Sequence, residues 1–319
     1  MDIKKKIFKK LALIVTEDKK NIFYLLYYSA IEAILVLSIP LASAFIINSI
    51  LAHSSISILV LGFIVIIIFG LTTVLQIVKE YIIEKFQQKF FVKTAIEISQ
   101  MAINLQENPT DKKNSTDKIM NYFFDVTSIQ KVFPVLLLEG SGLVIKIIVS
   151  LILLLAFSPV LFSFGLILFI IFVVLLLLFG KNGMKNAIKR SDTKHSSIYY
   201  LQHIPYQENP PNEILEELDR HLQNYVNARK KMFSIIIRQL TLSFIMEGII
   251  FSLFLIVGGY LVVEGKLPIG EFVAAEIIVV SISYALKGFV KQIDYVYDIV
   301  EGLYKVDKLA LSLGGKADE

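Results

Sequence analysis

Residues 159–180 read PVLFSFGLILFIIFVVLLLLFG, a run without a single charge. A helix needs about 20 apolar residues to cross a hydrocarbon core of roughly 30 Å, and this stretch predicts one. Just before it, Phe157-Ser158-Pro159 closes a second apolar run over 133–157. Serine is a good N-cap and proline a good first helical residue. The two runs are therefore expected to form a tight hairpin. Working outward, four more spans are predicted at about 22–50, 57–78, 236–263 and 271–290. The first carries Pro40, which a membrane helix tolerates when neighbours re-satisfy the freed carbonyl. The last two meet in a polar turn, Glu264-Gly265-Lys266-Leu267-Pro268-Ile269-Gly270-Glu271.

Composition agrees. The chain has 319 residues, 55% hydrophobic and 19% charged, with mean hydropathy +0.67. A soluble domain is about 45–50% apolar and about 25% charged. Disorder and collagen-like repeats are excluded. With no cysteine there is no disulfide scaffold, thiolate metal site, iron–sulfur cluster or cysteine nucleophile. The expected fold is an all-α polytopic membrane protein, one transmembrane domain over 1–319 with six transmembrane helices and long cytoplasmic helical extensions. Residues 1–20 hold seven lysines but no apolar core with a cleavage site, so the N-terminus is expected to be retained.

Orientation follows from lysine and arginine placement. Six spans put residues 1–20, 79–132, 181–235 and 291–319 on one side. Of 32 Lys+Arg, only Lys266 falls in an opposite-side loop, while Lys146, Arg238 and Lys287 lie in or at the edge of spans. Both termini and both long connections are expected to be cytoplasmic. Those connections read as helical hairpins. Phe91, Ala95, Ile98, Ala102 and Leu105 recur at helical spacing in one, and Ile214, Leu218, Leu222, Tyr225 and Val226 in the other. A helix from about 57 to 105 would be roughly 70 Å long, so spans two to five are expected to continue as rods beyond the membrane. Asn108, Pro109 and Asp111 break one hairpin at its tip; Pro205, Pro210 and Pro211 break the other.

The pattern resembles the transmembrane domain of bacterial ATP-binding-cassette (ABC) exporters. The stretch from Gly258-Gly259-Tyr260 through Gly265-Lys266-Leu267 to Gly270-Glu271-Phe272-Val273-Ala274 is similar to the family's turn between its fifth and sixth helices. Asp125-Val126, Ile129 and Phe133-Pro134 are similar to its approach to the third helix, and Ser158-Pro159 to the external turn that follows. The resemblance implies a dimer, with itself or a related subunit, in the bacterial inner membrane. It implies alternating access for a peptide-, lipid- or drug-like substrate, driven by ATP and Mg on a nucleotide-binding ATPase. The stalk tips near 106–118 and 203–213 would be coupling helices, with Asn108, Asp111, Tyr206, Gln207 and Glu208 as coupling candidates. Two features depart from the family. No G-x-x-x-x-G-K-[ST] phosphate loop is present, since Gly265-Lys266 is followed by leucine and Gly315-Lys316 by alanine. The ATPase is therefore expected on a separate chain, and this chain is expected to bind no cofactor. The second departure is Pro205, Pro210 and Pro211, where the family shows unbroken helix. A transport-inactive scaffold or regulatory subunit and an ion-coupled secondary transporter remain as alternatives.

Glu32, Glu139, Lys146, Glu247 and Glu276 lie inside apolar spans. An unpaired charge at mid-bilayer costs about 2.5–3.5 kcal/mol on insertion scales. Each should line a substrate path or set helix packing as a buried pair or a protonated carboxyl. Glu139 and Lys146 stand two helical turns apart and share a face. One copy of six helices is expected to leave Glu139, Lys146 and Glu247 hard to shelter, a second argument for a dimer. All four histidines fall outside the spans and no aspartate lies inside one. Serine, aspartic and metalloprotease chemistry in the membrane is thus disfavoured, and H-E-x-x-H is absent. Tyr122, Phe123, Phe124, Tyr199, Tyr200 and Tyr206 near the tips read as partner anchors or as stalk packing. The basic residues reflect orientation and anionic lipid, with no nucleic-acid partner expected.

Overall fold

The computed structural model describes residues 19–53, 58–107, 140–299 and 301–302. Asn108, Asp111, Glu139, the first tip beyond Glu107, residues 122–124 and the stretch 125–134 lie outside the described residues. Within them the chain is all-helical: α1 (Lys19–Leu51), α2 (Ile58–Glu107), α3 (Gly140–Phe157), α4 (Pro159–Phe179), α5 (Gly183–His203), a 3₁₀ turn (Ile204–Tyr206), α6 (Pro211–Val263) and α7 (Ile269–Lys291). Six helices are long and apolar enough to cross a membrane. Their outward faces carry exposed Phe63, Ile66, Ile67, Leu177 and Leu178, more contiguous apolar surface than a water-soluble monomer shows. This is the build of a multi-pass membrane protein.

Chain reversals fall where glycine and proline put them. Ser158 occupies the N-cap of α4 in extended backbone with Pro159 at the first position, but its hydroxyl makes no cap hydrogen bond. The hairpin rests on the proline. At the end of α6, Gly265 adopts φ +69°. Its N–H donates to Val262 O at 2.9 Å, and the Lys266 N–H donates to Leu261 O at 2.9 Å. That pair is a Schellman cap, which needs a left-handed residue at the position glycine fills. Gly270 then lets α7 touch α1: its N–H donates to Asn48 Oδ1 at 2.9 Å, and a Cβ there would overlap Asn48 and the Ala44 carbonyl.

α2 and α6 are the expected rods, about 75 and 80 Å long by helical rise. Span four is not one. The helix stops at Phe179, Asn182 takes φ 69°, and α5 starts at Gly183. The expectation of a continuous fourth rod is corrected by Gly180-Lys181-Asn182-Gly183, a turn sequence placed just past the apolar run. The Leu176 carbonyl, which accepts the Gly180 N–H at 3.0 Å, also receives Gln239 Nε2 of α6 at 3.2 Å.

α1 packs on α2 and α7, α7 on α6, and α6 on α4 and α5. The main core joins α3, α4, α6 and α7 through Leu154, Leu161, Phe254, Leu261 and Ile278, with Ile147, Phe172, Met246 and Leu286 continuing it toward the stalks. Beyond α7 a short helix over 293–299 turns against the α5 stalk.

Candidate functional site

A cavity of about 690 Å³ opens among α1, α2, α3 and α7. Four charged side chains line it: Glu32, Lys79, Glu80 and Lys146. Measured by helical rise from the short-turn ends, Glu32 and Lys79 lie about 28 and 32 Å in, and Lys146 about 17 Å in. The cavity therefore occupies the half of the bundle nearer the stalks.

Antiparallel pairing of α1 and α2 brings Glu32 and Lys79 to matched depth, and they form an ion pair. Gln76 Nε2 donates to the other Glu32 oxygen at 2.8 Å. Lys79 is buried and Glu32 nearly so, while Glu80 sits exposed at the rim. Lys146 approaches the same carboxylate by charge, yet its ammonium has no ion pair or hydrogen bond among the described residues. Ser29, 1% exposed, lines the cavity one turn from Glu32, and its hydroxyl is likewise without a partner among the described residues. The rest of the wall is apolar, including Val36, Ile77, Leu143 and Phe289.

The other intramembrane charges divide. Lys287 of α7 donates to Glu247 Oε2 at 2.9 Å and lies 5.2 Å from the ring centroids of Phe244 and Tyr284. Glu247 thus has an ion-pair partner within one chain. Glu276 stands apart, on a face of α7 with Val280 and Tyr284. One of its oxygens is buried without a described partner.

Sequence reasoning missed Lys79 and Lys287 as partners, assigning one to a stalk and the other to a span edge. A signal existed: in an antiparallel hairpin, opposite charges equally far from the connecting turn meet.

The second stalk tip is compact. Pro205 ends α5 in a three-residue 3₁₀ turn, and Pro211 opens α6 at its first position with Pro210 as the N-cap. The Tyr200 hydroxyl reaches Gln207 Oε1 at 3.2 Å and Ile214 O at 3.1 Å. Its ring stacks on His221, centroids 5.0 Å apart, and His203 lies against Tyr199. Those aromatics pack the hairpin. Tyr206, 64% exposed, and Glu208 face outward at the tip.

A second charged constellation locks the stalk. Arg190 of α5 donates to Asp294 at 3.1 Å, to Glu301 at 3.0 Å, and to Asp298. Burial opposes its charge, but Glu301, Asp298 and Asp294 outweigh that and hold the guanidinium pKa above its ordinary value. Asp298 is held above the ordinary aspartate value, chiefly by burial, although Arg190 pulls it down. On the adjoining face Ile293 and Tyr297 pack with Ala187 and Met232. Among the described residues no group of His, Cys, Asp and Glu could hold a metal ion.

Compared with known proteins, the sequence matches no family model and no curated protein.

Proposed function

We propose that this chain is the membrane-spanning subunit of an ATP-driven exporter of the ABC type, with the cavity as its substrate path. The observation that supports it is a shared helix. α2 supplies Thr73, Gln76, Ile77 and Lys79 to the cavity wall and runs unbroken to Glu107. A push at the stalk reaches the cavity through a rod with no hinge. α6 does the same for the Glu247–Lys287 pair and the second tip. In this reading both termini and the stalks face the cytoplasm of a bacterial inner membrane, the protein works as a dimer, and ATP and Mg bind a separate ATPase chain. Alternating access follows from ATPase motion delivered to the tips, where Tyr206, Gln207 and Glu208 make contact.

The test is co-purification from native membranes, then reconstitution. A stoichiometric ATPase, with ATP-dependent flux reduced by the Tyr206→Ala/Gln207→Ala/Glu208→Ala variant, is the expected result. Proton-driven flux without an ATPase would replace this reading with the ion-coupled one, which Glu32 between two lysines favours. No ATPase and no flux would leave a scaffold.

A further inference from the structure

We infer that the cavity binds an anionic amphiphile, its carboxylate or phosphate head on Lys146 and its apolar body along Val36, Ile77, Leu143 and Phe289. The inference rests on the proposed function only in taking the cavity as a substrate path; the binding itself is independent of any ATPase.

The charge inventory carries the argument. Inside the cavity Lys79 and Lys146 face Glu32 and, at an exposed position, Glu80. Glu32 is already committed to Lys79 and Gln76. Lys146, on which Glu32 acts by charge, has no ion pair or hydrogen bond among the described residues and lies within an apolar helix, where an ammonium is costly. Buried polar groups in native proteins are satisfied, and each exception asks for an explanation. An anionic oxygen would give Lys146 a partner.

The chemistry of the wall selects the body. Beyond the charged groups the lining is aliphatic and aromatic, and about 690 Å³ lies in the range of sites that enclose a small ligand. A free inorganic anion would fill the charged end and leave the apolar remainder wet. A neutral amphiphile would fill the apolar part and bring no anionic partner to Lys146. An anion with an alkyl chain does both.

The chain contains no tryptophan, so Ile77→Trp places a single reporter on the cavity wall, at an exposed position of α2. Quenching by a bromododecanoate is titrated in neutral detergent, with dodecyl phosphate, inorganic phosphate and a neutral brominated alkyl glycoside as comparisons. Saturable quenching by the carboxylate, displaced by dodecyl phosphate but not by inorganic phosphate, is expected. Lys146→Gln should weaken it about 10- to 100-fold, the range for a charge-assisted contact, and Lys146→Arg should retain most of it. Glu32→Gln should tighten it several-fold, a gain that misfolding cannot imitate. Equal quenching by the neutral glycoside, indifference to Lys146→Gln, or displacement by inorganic phosphate alone would overturn the inference. Binding without any co-purifying ATPase would sink the exporter reading and leave this site standing. An ATPase-driven transporter whose quenching ignores charge would do the reverse.

Discussion

Replacing Arg190 with alanine tests how the stalk is held to the end of α7. Its guanidinium is 12% exposed and serves three carboxylates, of which Glu301 is 11% exposed while Asp294 and Asp298 are 43% and 40% exposed. Removing one partner of a fully buried pair costs about 3–5 kcal/mol, because the other charge is left uncompensated. Exposed pairs are worth about 0–1 kcal/mol each. Glu301 therefore dominates, with small additions from the two aspartates. Setting the total near the lower end of the buried range gives about 3 kcal/mol. The loss should be local, since the packing of Ile293 and Tyr297 on Ala187 and Met232 also opens when 293–299 lifts away. Such an energy raises the opening constant by about two orders of magnitude. Amide hydrogen exchange over 293–299 should accelerate by that factor in Arg190→Ala, while α4 and the membrane half of α6 keep the parent rate. Arg190→Lys, which keeps the charge but not the fork that reaches three acceptors, should fall between. Exchange within threefold of the parent would mean that apolar packing alone holds the segment and that the ion cluster is incidental.

Two further expectations concern the same region. Gly183→Ala puts a Cβ 2.5 Å from Tyr297 Cζ and Cε1; it should destabilise by about 1–3 kcal/mol, the usual cost of overpacking, and Tyr297→Ala in the same chain should recover part of the lost melting temperature. Because Asp298 has a folded pKa above 3.8, its contribution to stability is full below that value and is lost as pH rises through the folded pKa. Acidifying from neutral should thus slow exchange over 293–299 relative to Asp298→Asn at the same pH, by no more than about 1 kcal/mol once its exposure is discounted.

Span positions were legible in the sequence because about 20 consecutive apolar residues leave little choice, and each of the six predicted runs overlaps one of the six helices long and apolar enough to cross a membrane. The α2 and α6 rods were legible because amphipathic spacing ran through the membrane boundary without a breaker. The break after Phe179 was not foreseen, although Gly180-Lys181-Asn182-Gly183 spelled it, because a turn just past a span competes with the helical period of the stalk that follows. Part of the site was legible as expensive charges, Glu32, Lys146, Glu247 and Glu276. Their partners were not, since hydropathy places Lys79 in a stalk and Lys287 at a span edge and only pairing across a hairpin reveals what they meet. The acidic stripe Asp294, Asp298 and Glu301 was missed for a related reason. It is a helical pattern that becomes meaningful only once α5 brings Arg190 beside it.

The proximity of two lysines to Glu32 also gives the proposed exporter a way to release its cargo. Lys79 and Glu107 lie on one rigid rod, about 32 and 74 Å from its short-turn end by helical rise. A tilt of α2 against α1 by about 5° would move Lys79 by about 3 Å and Glu107 by about 6 Å, on the same rise. A shift of 3 Å takes an ammonium out of hydrogen-bond range. Glu32, stripped of Lys79, would then turn to the remaining cation, Lys146, and compete with an anionic ligand for it. Motion at the tip thereby becomes loss of affinity in the cavity, with one carboxylate exchanging partners. The reconstituted complex, carrying Ile77→Trp, should bind bromododecanoate at least tenfold more weakly when trapped with a non-hydrolysed nucleotide than when nucleotide-free, the change for about 1.4 kcal/mol. Glu32→Gln, which has no charge to offer Lys146, should bind equally in both states and transport poorly. Equal weakening in the parent and in Glu32→Gln would show that closure of the cavity, not exchange of Glu32 between lysines, expels the ligand.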